Sequence, residues 1–329
     1  MTARYDVTCI GNAIVDVITK NEESFITEHG LVKGAMTLID AERAEALYAA
    51  MGPGLAASGG SAGNTAAGIA SLGGKAAFIG KVTADQLGDV YRHDIRAVGV
   101  DFDSKPLDPK VPGTPPTARS LIIVTPDAQR TMNTYLGACV ELTPDDVDEA
   151  VISASQVTYL EGYLWDRPTA KEAFIKAARV AHAAGRKVSL TLSDSFCVER
   201  HRDSFLSLID SHVDVLFANE AEIKALYQVT DFDTAVAAVR GRCEVAIVTR
   251  SEHGSVVVTD GETHVVAAAP IAQLVDTTGA GDLYASGFLY GFTRAFDLAE
   301  CGRIGSIAAA EVIGHVGPRP LVPLAKLIA

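Results

Sequence analysis

Cysteine is sparse and scattered in this 329-residue chain: Cys9, Cys139, Cys197, Cys243 and Cys301 are odd in number and form no C-x-x-C pair. That usage excludes a disulfide scaffold and reads as reduced, structural thiols. Positive charge is short as well. Lys and Arg number 28 against 41 Asp and Glu, for a formal net charge of −13, which disfavours nonspecific binding to nucleic acid or an anionic membrane. No segment approaches the roughly 18 uninterrupted apolar residues of a membrane helix. The start, Met1 to Val7, lacks a signal-type apolar stretch and is interrupted by Asp6. These absences predict a cytoplasmic protein with no nucleic-acid or membrane partner. Any phosphate-bearing ligand must then be held by local amides, metal ions or a few placed cations.

What is present is a globular balance, 48% hydrophobic and 21% charged. Short β-type runs are expected at Asp6–Ile10, Lys75–Gly80, Ser120–Thr125, Val157–Leu160, Lys187–Leu192, Val213–Ala218 and Val245–Thr249. Between them lie helical segments such as Pro144–Ser153, Thr169–Ala184, Asn219–Tyr227 and Asp233–Gly241. This alternation predicts one α/β domain over residues 1–329, a mostly parallel sheet with helices on both faces. Several strands are near-continuous apolar runs, as burial on both faces requires.

Two stretches break the rhythm. Residues 13–40 and the proline-rich 105–137 read as β excursions, either surface loops or a small lid over the sheet's carboxyl edge, where open α/β folds bind ligands. Met132, Thr134 and Leu136 would share one strand face.

The strongest chemical signal is Asp276-Thr-Thr-Gly-Ala-Gly-Asp282, opening a helix with apolar later positions. A helix start offers unpaired amides and partial positive charge, which suit an anion. Gly279, Ala280 and Gly281 keep side chains out of a phosphate's way. Asp282, ionised at neutral pH, can take a proton from a hydroxyl that attacks phosphorus. Ordinary capping would explain one Asp but not the density of small residues before it. Ser58-Gly59-Gly60-Ser61-Ala62-Gly63-Asn64 also precedes a helix, and Asn64 offers a donor and an acceptor for vicinal hydroxyls. Asp16 lies just past the first strand. Asn219 and Glu222 stand three apart at a strand–helix junction, the spacing of a capping box and also of a pair able to order a hydrated Mg²⁺. Gly73-Gly74-Lys75 lacks the spacing of a P-loop, no G-x-G-x-x-G follows the first strand, and no H-E-x-x-H occurs.

Together these motifs resemble the ribokinase-like (PfkB) carbohydrate and nucleoside kinases, and the resemblance covers nearly the whole chain. It implies a ribokinase-like three-layer α/β/α fold with a mostly parallel central sheet and a small β lid formed by about 13–40 and 105–137. It implies Asp282 as catalytic base, with the Gly279, Ala280, Gly281 and Asp282 amides as an anion hole. Asp16, Gly59, Gly60 and Asn64 would bind the sugar hydroxyls. Asn219 and Glu222 would help place Mg²⁺ through water on ATP. Val248-Thr249-Arg250-Ser251-Glu252-His253-Gly254 resembles the family's nucleotide loop. Thr249 and Gly254 are its expected contacts, but Ser251 stands where glycine is usual. The resemblance leaves room for K⁺ at Asp276 and Thr278.

The insert Glu23–Asp40 and the run Gln129–Ala138 resemble the adenosine kinase branch. That implies ATP-dependent phosphorylation of the adenosine 5′-hydroxyl, giving AMP; the alternative is a sugar kinase acting on fructose, ribose or a keto-sugar acid. Met36, Leu38, Met132, Thr134 and Leu136 would form a slot for the base or merely pack the lid's underside. Arg130 would meet the phosphates or be solvated. The chain would act as a monomer or pair through the lid as a homodimer.

Overall fold

In a computed structural model, residues 3–127 and 129–329 are described. Met1, Thr2 and Ala128, the last inside the second excursion, lie outside the described residues. The first eight strands are β1 (Tyr5–Ile10), β2 (Ile14–Lys20), β3 (Met36–Leu38), β4 (Leu55–Ser58), β5 (Ala76–Ile79), β6 (Val100–Asp101), β7 (Ala118–Val124) and β8 (Arg130–Tyr135). They are followed by β9 (Ser155–Glu161), β10 (Lys187–Thr191), β11 (Val215–Asn219), β12 (Val245–Thr249), β13 (Ser255–Val258) and β14 (Thr263–Val266). Among the described residues they form a nine-stranded sheet, ordered β14-β13-β12-β11-β10-β9-β1-β5-β6, and a five-stranded sheet, ordered β3-β8-β7-β2-β4.

The large sheet is parallel from β12 to β6, and β13 and β14 add an antiparallel edge. Its strands are buried on both faces, so consecutive residues feed opposite cores. Leu160 and Leu216 pack in one cluster with Phe174 and Phe205, whereas Tyr159 and Phe217 pack in the other with Phe288. The Tyr159–Phe217 and Phe217–Phe288 ring centroids are 6.1 and 5.5 Å apart, spacings typical of favourable edge-to-face pairs. This is the mostly parallel, two-face-buried α/β architecture that the sequence implies.

The small sheet draws β2, β3, β7 and β8 from the two excursions, and β4 comes from the segment before the Gly59-Gly60 turn. One face buries Val15, Val17, Leu121 and Ile123 with Leu47 of the Ala41–Ala50 helix. The other carries Asp16 and Arg130 toward the carboxyl edge of the large sheet.

The helix expected over Pro144–Ser153 is broken. A 3₁₀ turn at Pro144–Asp146 is closed by a Thr143/Asp146 capping box, and a separate short helix, Glu149–Ser153, starts at Asp148. Asp148 accepts from the N–H groups of Ala150 and Val151, so each acidic residue caps its own short turn. The β13–β14 hairpin has no counterpart in the sequence reading. No helix among the described residues is long and apolar enough to cross a membrane.

Candidate active site

Strand order reverses at β1, which lies between β9 and β5. Such a switch point leaves a crevice at the strands' carboxyl ends. The chain leaves β1 through Gly11, Asn12 and Ala13, while β9 ends on Glu161, only 1% exposed. Glu161 accepts from Asn12 Nδ2 (2.7 Å), Asn12 N–H (3.3 Å) and Ala62 N–H (2.8 Å). Burial pushes its carboxyl up to about 7, although these donors pull the other way. Glu161 thereby fastens the Gly59–Ala62 turn to the first strand's exit.

That turn needs its glycines. Gly60 has φ +83°, and a Cβ there would overlap Asn12 O. A Cβ on Gly59 would overlap the carboxylate of Asp16. Asp16 is thus seated against the turn, 9% exposed, and burial lifts its carboxyl to about 6 while Arg319 and Arg130 oppose the rise. Beyond the turn, the Ser61–Ser71 helix brings Ser61 and Asn64 to Asp282. Ser61 Oγ donates to Asp282 Oδ1 (2.6 Å) and Asn64 Nδ2 to Oδ2 (2.8 Å). Asn64 Oδ1 is buried without a partner.

Asp282 occupies the first turn of the Ala280–Phe292 helix, whose cap, Gly279, is left-handed at φ +80°. Pro318 covers Gly279 where a Cβ would stand, whereas a Cβ on Gly281 would meet no atom within 4 Å. Among the described residues the N–H groups of Gly279, Gly281 and Asp282 have no acceptor. Ala280 departs from expectation: its N–H turns back onto Thr277 O (3.2 Å). Three free amides therefore stand at a helix tip next to a carboxylate, an arrangement able to hold an anion and take a proton. Burial raises the Asp282 carboxyl, and Ser61, Asn64 and Arg319 pull it back down.

Arg130, from β8, reaches across to this loop. Its Nη1 donates to Asp276 and to Thr278 Oγ1 (2.8 Å), and its Nε and Nη2 are buried without partners. Asp276 also accepts from Gly317 N–H (2.9 Å) and from the N–H and Oγ1 of Thr278 (3.0 and 2.7 Å). Despite its burial, Asp276 is held below the usual carboxylate range by these donors and Arg130. The side chains expected to bind a monovalent cation are thus engaged by a guanidinium and do not fit that ion while Arg130 holds both.

Asn219 and Glu222 form the capping box. Asn219 Oδ1 accepts from Glu222 N–H (2.9 Å), and Glu222 accepts from Asn219 N–H (3.0 Å) and Nδ2 (2.6 Å). Burial raises the Glu222 carboxyl to about 7, with Asp194 and Asp282 adding to the rise. That converging negative field fits a hydrated divalent ion reached through water, since the carboxylate is already turned onto Asn219. Thr249 is paired in register with Asn219 on the sheet edge. Ser251 adopts φ +50°, the left-handed conformation that explains a glycine's usual presence, and Gly254 at φ +79° runs against Val266 O.

The small sheet's cleft face follows from register, because directly paired residues share a face. One row reads Ala57, Asp16, Ser120, Thr134, Leu38; the next reads Leu55, Ile18, Ile122, Met132, Met36. Met36 and Leu38 are 53% and 54% exposed, so two apolar side chains of neighbouring rows are open to solvent at the same end of the sheet. Thr134 is buried, its Oγ1 3.0 Å from Ser120 Oγ. Leu136 is not on this face: its backbone is helical (φ −76°, ψ −29°), and the strand alternation ends at Tyr135. Sequence reasoning missed Glu161, Ser61, Ser120 and Arg319. Ser61 lay inside a quoted motif, whereas the others carry no local signal.

A family model described as pfkB family carbohydrate kinase matches residues 43–325. An adenosine kinase structure from Sinorhizobium meliloti is 59% identical, with a TM-score of 0.90 over 99% of this chain and 98% of that one. A probable sugar kinase structure from Rhizobium etli CFN 42 is 55% identical, again with a TM-score of 0.90 over 99% and 98% of the two chains. A 5-dehydro-2-deoxygluconokinase from Shouchella clausii is 28% identical over 273 residues, 80% of this chain and 83% of the relative.

Proposed function

The chain belongs to the pfkB family, ATP-dependent phosphotransferases with a hydroxyl acceptor, and from that premise we propose that its acceptor is the 5′-hydroxyl of adenosine. The observation that carries the reading is the lid's cleft face. Exposed Met36 and Leu38 stand with Met132 in the row beside and the row through Asp16, a surface for a flat apolar base next to a carboxylate for ribose hydroxyls. No basic residue occurs in those two rows among the described residues. Lys20 and Arg130 stand in the next row of the same face, and Arg130 is already engaged by Asp276 and Thr278.

In this reading Asp16, the Gly59-Gly60 turn and Asn64 hold the ribose. The 5′-hydroxyl takes the place of Ser61 Oγ at Asp282, which accepts the proton as oxygen attacks the γ-phosphorus and ADP departs. The free amides of Gly279, Gly281 and Asp282 bind the transferring phosphoryl group. Thr249 and Gly254 contact the nucleotide, and Glu222 with Asn219 would hold hydrated Mg²⁺. That ion would offset charge on the ATP phosphates. Arg130 exchanges Asp276 for the phosphates as the small sheet closes like a lid and excludes water.

A sugar kinase remains the second reading, favoured by the Rhizobium etli and Shouchella clausii relatives. A panel of adenosine, other nucleosides, ribose, fructose and 5-dehydro-2-deoxygluconate, read by ADP release, separates the two. Turnover of adenosine at least about 10-fold more efficient than any sugar is expected. Activity on a sugar with none on adenosine sinks the nucleoside reading.

A further inference from the structure

After the Leu298–Val312 helix, the chain returns to the cleft as a short strap that touches first the 275–279 loop and then the Ser58–Gly63 turn. Ile313 O accepts from the N–H groups of Val275 (2.8 Å) and Asp276 (3.3 Å). Gly317 N–H donates to Asp276, and Pro318 covers Gly279 at the helix tip. Arg319 then crosses to the acceptor turn. Its Nη1 donates to Gly63 O (2.9 Å), and its Nη2 to Ser58 O (2.9 Å) and Ser58 Oγ (3.2 Å). The far side of the strap is pinned as well. Leu321 and Val322 N–H reach Glu311 (2.9 and 3.3 Å), and Leu324 N–H reaches Ser71 Oγ (3.0 Å).

A guanidinium is well matched to this task because its planar fork can bridge two carbonyls at once. The Ser58–Gly63 turn that it grips is the segment that delivers Ser61 and Asn64 to Asp282 and seats Asp16 against Gly59. Ser58 is held from its other side by Asp94, which accepts from its N–H (2.7 Å) and Oγ (2.6 Å). We propose that Arg319 is a positioning residue: it straps the acceptor turn to the phosphoryl loop and supplies a positive charge shared by Asp16 and Asp282.

The charge matters because the two carboxylates meet one cleft. The groups around Arg319 are Asp16 from β2, Tyr91 and Asp94 from the Gln86–Ala97 helix, and Asp282 from the Ala280–Phe292 helix. Arg130 from β8 also acts on Asp16, and Glu161 at the end of β9 is raised by Asp282. Burial pushes the Asp16 and Asp282 carboxyls up, Asp282 adds to the rise at Asp16, and Arg319 opposes both rises. Removing the guanidinium lifts both further, so a larger share is protonated at a given pH. Activity that needs the ionised forms is then lost at a higher pH as the medium is acidified. A merely structural arginine would lower the amount of folded enzyme without moving that limb.

The test compares Arg319→Met and Arg319→Lys with the parent for kcat, acceptor KM and ATP KM between about pH 5 and 9, the range in which raised carboxyls titrate. Adenosine is the acceptor. Should the parent ignore adenosine, the proposed function fails, and the same comparison is run on the sugar that the panel turns over. In Arg319→Met the acceptor KM rises about 10-fold or more, ATP KM stays within about 2-fold, and the acid limb of kcat/KM moves up by at least about half a pH unit. Arg319→Lys restores the limb but keeps a raised acceptor KM, because an ammonium cannot bridge both carbonyls. An unmoved acid limb in Arg319→Met, or acceptor and ATP KM rising in parallel, overturns the proposal. If Arg319→Met does not fold, Arg319→Lys decides alone: a raised acceptor KM with the parental limb upholds the strap, and a parental KM overturns it.

Discussion

The phosphoryl loop and the lid sheet face one cleft but are built on opposite plans. Residues 276–282 make their surface from backbone: three free amides and a left-handed Gly279 beside the Asp282 carboxylate, with Asp276 turned onto Arg130, all within seven consecutive positions. The lid makes its surface from side chains spread over β2, β3, β7 and β8, brought into rows by strand register. A backbone surface suits what every phosphotransferase reaction shares, the transferring phosphoryl group, and on the proposed reading this loop meets it. A side-chain surface can differ from one relative to the next without disturbing the chemistry. Relatives that act on a nucleoside or on a keto-sugar acid can therefore share the first region and diverge in the second.

The sharpest way to break this division is at its chemical pole. Asp282→Asn keeps the size of the side chain and the bond from Ser61, but removes the proton acceptor. Turnover should fall by at least about 10²-fold with acceptor affinity within about 3-fold. Steady-state kinetics with a binding measurement decide it: near-normal kcat means that the carboxylate is not the base.

The complementary change is at the lid. Leu38→Ser combined with Met132→Ser removes apolar contact from adjacent rows of the cleft face. A loss of about 1–2 kcal/mol of binding predicts an adenosine KM raised about 5- to 30-fold, with kcat within about 3-fold. If kcat collapses while KM holds, the lid contributes to chemistry and the division between the regions is false.

The same contrast governs what could be read before the fold was known. The 276–282 loop was legible because its geometry is local: the free amides of Gly279 and Gly281 and the Asp282 carboxylate adjoin in sequence as they do in space. The near-continuous apolar strands β1, β5 and β9 to β12 of the large sheet were legible for the same reason, and their ends fell within a few residues of expectation. Leu136 misled because period two was carried one residue past the strand, which ends at Tyr135. The Pro144–Ser153 helix misled because Thr143, Asp146 and Asp148 cap two short turns, not one long helix. Glu161, Ser120 and Arg319 were invisible. Each is an ordinary residue in its local context, and each reaches the cleft through strand order or chain return. The Asn219–Glu222 spacing shows the remaining ambiguity, since a capping box and an ion-ordering pair need the same two residues three apart.

A last contrast lies within the cleft itself, between holding a charge for function and paying for it in stability. Asp16 is folded with its carboxyl at about 6, above its ordinary 3.8. A folded value above the unfolded one means that the native state prefers the protonated form. The stabilisation from that preference is complete below about pH 4 and disappears as pH rises through about 6. Asp16→Asn has no such charge to bury. Relative to the parent it should therefore gain stability between pH 4.5 and pH 8. The two-unit rise, which already contains the opposing pull of Arg319 and Arg130, sets a ceiling of about 3 kcal/mol, of which about 2 kcal/mol develops between pH 4.5 and pH 8. On the proposed reading acceptor KM should rise at the same time, since the substrate's hydroxyls lose an acceptor. Denaturant melts at the two pH values measure the difference. A parent and variant that run parallel across that range would mean that Asp16 is no more costly to ionise in the fold than in the open chain, and that the turn at Gly59 merely shelters it.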